Sequence, residues 1–146
     1  MAAQKTALPS MEAVATNSVS YQDASPRRAV ATIGLLGVAL IHLIDLPGKM
    51  EETPYLGVAF IGVVIASLLL AGGLVVRPDR TVWLAAGALA AAVFVGYVIS
   101  RTTGLPAATE DIGNWREPLG LASLFVEGTV VLLALPAVRR AGRAFA

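Results

Sequence analysis

Six side chains in this sequence stand out as capable of chemistry because so little around them is: His42, Asp45, Glu52, Tyr97, Arg101 and Glu127. His42 and Asp45 are three residues apart, so on a helix they share a face. With Glu127 they supply one imidazole and two carboxylates. Such a set could hold a metal ion, hydrogen-bond the polar head of a small molecule, or pass a proton. Glu127 lies about nine residues into an apolar run, ~13 Å deep at ~1.5 Å per residue. An ionised side chain at the centre of a bilayer costs ~2.5–3.5 kcal/mol on insertion scales, so a carboxyl there calls for a cation partner, a hydrogen bond or a function. The candidate partners are His42, Arg101 and Tyr97.

The elements that position these residues follow from composition. Hydrophobic residues make up 56% of the 146 and charged residues 14%, against roughly 25% charged in soluble domains. Mean hydropathy is +0.73. Four apolar segments, 29–46, 55–76, 82–100 and 119–138, each approach the ~20 residues that cross a ~30 Å hydrocarbon layer. A soluble helix would show a polar stripe at 3.6-residue spacing, yet from Gly57 to Val76 the only polar side chain is Ser67. The predicted fold class is all-α: an up-down bundle of four transmembrane helices forming one domain. Residues 1–28 carry little apolar surface and are predicted to be disordered, and 139–146 form a basic tail. Arg27 and Arg28 directly precede the first segment, as in an uncleaved signal anchor.

Basic residues set the orientation. With the N-terminus inside, the inner segments hold Lys5, Arg27, Arg28, Arg77, Arg80, Arg139, Arg140 and Arg143, and the outer ones only Lys49, Arg101 and Arg116. This positive-inside bias predicts a plasma-membrane protein with both termini cytoplasmic. The acids Glu51, Glu52, Glu110, Asp111 and Glu117 fall on the outer side, so polar chemistry collects in the outer half of the bundle. Helix contacts in lipid rely on small residues. The expected stripes are Gly87, Ala91 and Val95 beside Ala88, Ala92 and Gly96; Gly34 and Val38 leading to His42; and Gly120 and Ser123 leading to Glu127. Trp83, Trp115, Tyr55 and Tyr97 are expected at the membrane interfaces. Asp45 and Glu52 also fit helix-end roles, and Arg101 fits a snorkelling anchor unless Glu127 or Glu117 pairs it.

The stretch from His42-Leu43 through Pro47 to Glu52-Thr53-Pro54-Tyr55-Leu56-Gly57, and then Arg101-Thr102-Thr103-Gly104-Leu105-Pro106, Glu117-Pro118-Leu119-Gly120-Leu121 and Glu127, resembles small four-helix integral membrane proteins of unassigned function from high-GC bacteria. The resemblance spans about 29–136 and implies fold and topology only. That pattern often carries a second histidine between the proline and the glutamate, where this chain has Lys49 or a neighbour.

Several functions are excluded. Without cysteine there is no thiol catalysis, disulfide or iron–sulfur cluster. A net charge of +1 leaves no basic stripe for nucleic acid. No phosphate-binding loop, nucleophile elbow or His-Glu-x-x-His motif is present, so no enzyme activity is indicated. Three readings remain. The first is a binding site for a small molecule, quinone, haem or metal among His42, Asp45, Glu52 and Glu127, although transition metals favour several imidazoles or thiolates. The second is an accessory subunit of a larger membrane complex, or a homo-oligomer. The third is a small proton-coupled transporter with Glu127 and His42 as relay groups.

Overall fold

The structure is a computed structural model that describes the backbone of residues 11–142 and the side chains of residues 26–137. The chain folds into four helices: α1 (Met11–Glu52), α2 (Pro54–Val76), α3 (Arg80–Thr102) and α4 (Pro118–Gly142). Each contains a stretch long and apolar enough to cross a membrane, from 20 residues in α4 to 27 in α1. Large apolar side chains such as Ile33, Val58, Leu69, Val76 and Phe125 point outward and are exposed. In water that surface would drive aggregation, whereas in lipid it is matched by its solvent.

Both bounds of the first helix differ from the sequence expectation, and α4 runs on to Gly142 beyond the expected end at 138. The helix containing the first apolar segment runs from Met11, across 11–28, where disorder was expected; residues 1–10 lie outside the described residues. Met11, Glu12, Ala13 and Ala15 are good helix formers, and their polar neighbours need not be buried for the helix to continue. At the other end, α1 passes through Pro47 instead of stopping at Leu46 and ends at Glu52. A proline removes one backbone donor and kinks a helix, but it does not compel a stop where neighbouring groups carry the freed carbonyl. The Thr53 N–H closes the helix on the Lys49 carbonyl at 3.0 Å, and α2 starts at once with Pro54, where a missing N–H costs nothing.

The α2–α3 turn is as short. Arg77 ends α2 and Asp79 caps α3, accepting from the Val82 N–H at 3.0 Å. The α3–α4 connection, 103–117, is the only long one among the described residues. The helices pack in a ring, with α1 against α2 and α4, and α3 against α2 and α4. With such short links, neighbours in the ring run antiparallel. One end of the bundle therefore carries the 103–117 loop and the α1–α2 junction (the loop end), and the other carries the Arg77–Asp79 turn (the turn end).

The close-packed core lies toward the turn end. Ala31 and Leu35 of α1, Ala71 and Leu74 of α2, Trp83, Ala86 and Ala90 of α3, and Val130, Ala134 and Ala137 of α4 form one buried cluster. On α4 the buried positions Ser123, Glu127, Val130, Ala134 and Ala137 follow helical three- and four-residue spacing and continue the expected Gly120 stripe. On α3 the buried row is Trp83, Ala86 and Ala90, one position off the expected Gly87–Ala91–Val95 row, and Val95 is exposed. Gly87 still makes the close approach, since a Cβ there would lie 2.6 Å from that of Ala134. Trp83 is therefore a core residue and not an interfacial one, and Arg27 stacks over its ring at 4.0 Å. Arg27 also donates through Nε to the Leu133 carbonyl at 2.8 Å. This bond ties α1 to α4.

Candidate functional site

At the loop end the helices enclose a cavity of about 310 Å³. All four contribute walls, and they do so unevenly. Leu56, Phe60 and Val63 of α2 and Leu89, Val93 and Gly96 of α3 make an apolar body. His42, Asp45 and Lys49, one turn apart on α1, face Tyr97, Ser100 and Arg101 of α3, with Ser123 and Gly120 of α4 completing the ring. The chamber is thus amphipathic: apolar along its length and polar where the loop covers it.

Arg101 organises the polar end. It is only 5% exposed, although it sits in the last turn of α3, where a cation complements the helix dipole. NH1 lies 2.6 Å from Asp111 Oδ1, and NH2 donates to Glu117. The guanidinium also rests 4.7 Å from the Tyr97 ring centre. Asp111 is shared with Lys49, whose Nζ is 3.3 Å from Asp111 and 2.9 Å from Glu52. Two cations and three carboxylates therefore form one alternating network that joins α1, α3 and the loop. A network of this kind holds geometry more than it stabilises, because each charge must be desolvated to join it.

The loop is shaped for this. Gly104 (φ 79°) leaves α3 in the left-handed region, and its N–H reaches back to Ile99. Leu105 to Ala108 close a tight turn whose carbonyls meet α2: Tyr55 OH donates to Pro106 at 2.7 Å and Thr53 to Ala107 at 3.5 Å. The Gly113 N–H then donates to the Arg101 carbonyl at 2.9 Å. That bond brings Asp111 back over the end of the helix that the loop has just left.

His42 is buried deeper. Its Nδ1 lies 2.9 Å from the Val38 carbonyl. A carbonyl can only accept, so Nδ1 carries a proton, and in the neutral tautomer that this bond selects Nε2 is an acceptor. Phe60 packs edge-on at 4.7 Å and fixes the ring, while Nε2 has no hydrogen-bond partner among the described residues. Tyr97 OH and Arg101 Nε, whose side chains stack on each other, are fully buried without a hydrogen bond that meets normal geometry among the described residues. Tyr97 is wedged by Gly120, where a Cβ would overlap its ring. The Tyr97 hydroxyl and Arg101 Nε are closed off from the cavity, whereas His42 lines it with an acceptor that has no partner among the described residues.

Of the six expected residues, His42, Asp45, Tyr97 and Arg101 line the cavity. Glu52 does not; its side chain is 66% exposed on the outer rim, paired with Lys49. Glu127 does not either. It is completely buried on α4, where one carboxylate oxygen accepts from Ser123 and the other has no partner. The cation expected to meet it, Arg101, is taken by Asp111 and Glu117. Among the described residues no three His, Asp or Glu side chains are grouped closely enough to hold a metal ion, and Glu127 stands apart from the cavity that His42 and Asp45 line. Tyr55 and Trp115 are exposed as interfacial rings would be, but Tyr97 is part of the chamber wall. Lys49 and Asp111 are the central residues that the sequence reading left among the loop charges. The one signal for Asp111 was its position between Gly104 and Gly113, two glycines that let the loop double back.

Compared with protein-family models, curated proteins and solved structures, the chain matches none.

Proposed function

We propose that this is a multi-pass plasma-membrane protein, with both termini cytoplasmic, that binds a small amphipathic molecule inside the loop end of its bundle. The observation that carries this reading is the roughly 310 Å³ cavity, apolar along its walls and edged at one end by Asp45, Lys49, Arg101 and His42, whose Nε2 has no partner among the described residues. Small-molecule sites are mostly apolar hollows of about 300–1,000 Å³ in which a few placed polar groups fix orientation. A buried polar group without a partner is costly, and a ligand head that bonds His42 Nε2 removes that cost. An accessory subunit would need the four helices but no internal chamber. The orientation rests on the distribution of Lys and Arg among the segments.

The test is native mass spectrometry on protein extracted in mild detergent, with an absorption spectrum and metal analysis. Wild type is expected to retain a small organic adduct that Gly96→Leu loses, since Gly96 lines the chamber with open space where a side chain would go. Wild type and variant each appearing only at its own ligand-free mass would overturn the reading. Orientation is tested separately. The chain has no cysteine, so a cysteine introduced at Glu110 should label with a membrane-impermeant maleimide from outside intact cells, and one at Asp79 should not.

A further inference from the structure

A second hollow of about 570 Å³ adjoins the chamber and shares Asp45, Lys49, Asp111 and Glu117 with it. Its remaining charged walls are Glu52 and Glu110, both exposed. The approach to the chamber is therefore lined by five carboxylates and a single lysine, with Arg101 just behind. The cations are already engaged: Arg101 by Asp111 and Glu117, and Lys49 by Glu52 and Asp111. Asp45 is different. It borders both hollows and has no hydrogen bond or ion pair among the described residues. Lys49, one turn further along α1, pairs with Glu52 and Asp111 instead.

We infer that the chamber selects cationic amphiphiles, primary or secondary alkylammonium ions, with Asp45 as the counter-ion and His42 as a second acceptor for the ammonium head. This rests on the reading of the chamber as a ligand site and adds the sign of the ligand's charge. An ammonium head carries several N–H donors. Asp45 and His42 Nε2, three residues apart on one helix face and both on the cavity wall, offer two acceptors that nothing else fills. The apolar wall of Phe60, Val63 and Leu89 takes the hydrocarbon. The acidic approach concentrates cations and repels anions before they reach the chamber. A carboxylate ligand would face Asp45 unpaired and would have to displace Asp111 or Glu117 from Arg101.

The experiment compares three ligands with one hydrocarbon tail, namely octylammonium, octanol and octanoate. Binding is measured by calorimetry to the full chain in nanodiscs of zwitterionic lipid, with protein-free discs subtracted. Octylammonium is expected to bind ~10-fold more tightly than octanol, and octanoate more weakly than both, as one close charge pair predicts. Asp45→Asn should reduce octylammonium affinity ~10-fold and leave octanol within ~2-fold. If octanol equals octylammonium, or octanoate binds best, the charge inference falls while the chamber remains a ligand site. If none binds beyond the protein-free discs, the chamber reading falls with it. The wild-type series decides the inference even if Asp45→Asn does not fold, and an unchanged preference in a folded Asp45→Asn protein would remove Asp45 from the role.

Discussion

The turn end and the loop end of this bundle are built from the same four helices and solve opposite problems. At the turn end Ala31, Ala71, Ala86, Ala90 and Ala134 let the backbones close up around Leu35, Leu74 and Trp83. In lipid there is no hydrophobic force between helices, so contact surface and van der Waals packing hold them together. At the loop end the facing side chains are Phe60, Tyr97, His42 and Arg101, which leave a cavity between them. The helices there are held less by packing than by charges and by the loop: Arg101 to Asp111 and Glu117, Lys49 to Asp111, and Tyr55 to Pro106. One half is filled for stability, and the other is kept open by residues whose partners lie outside the helices.

The largest expected effect tests whether charge really holds the open half. Arg101→Met removes the cation shared by Asp111 and Glu117 and leaves two carboxylates crowded under the loop, so thermal unfolding in detergent should report a loss of about 3 kcal/mol. A loss no larger than that of Arg116→Met, on the exposed side of the same loop, would show that the network is incidental.

The next effect sharpens the contrast within one helix. Gly87 and Gly96 both lie on α3. A Cβ at Gly87 meets Ala134, whereas a Cβ at Gly96 meets nothing within 4 Å. Gly87→Ala should therefore overpack the turn end and cost about 1–3 kcal/mol. Gly96→Ala should be neutral or stabilise by up to about 1 kcal/mol through helix propensity. Equal melting shifts for the two would contradict the division into a filled and an open half.

The smallest expected difference concerns the boundary between the halves. Glu127→Ala loses the Ser123 bond and leaves a void in a fully buried position, at a cost of about 1–2 kcal/mol. Glu110→Ala, on the exposed loop, should stay within about 0.5 kcal/mol. Indistinguishable melting curves would mean that the buried carboxyl contributes nothing to holding α4 in place.

How much of this was legible beforehand differs by residue. The α4 stripe through Gly120, Ser123 and Glu127 could be read from spacing alone, because a helix fixes which residues share a face. The α3 stripe could not, since that helix is alanine-rich on several faces, and only Trp83 against Arg27 and Gly87 against Ala134 selects one of them. Trp83 looks interfacial by type and is buried because a cation covers it.

The sequence by itself determined the four apolar helices and the concentration of polar groups toward one end, since these depend on local composition and on the length a bilayer demands. It also determined that His42 and Asp45 share a face. Only the tertiary structure decided that Arg101 belongs to Asp111 and Glu117 rather than to Glu127, that Lys49 bridges to the loop, that Asp45 has no partner among the described residues, and that a cavity separates the helices where it does. Those outcomes depend on which side chains meet across 10 to 62 residues of chain. The meeting is set by a loop folding back through Gly104 and Gly113, and a charge finds its partner by distance in space and not by position along the chain.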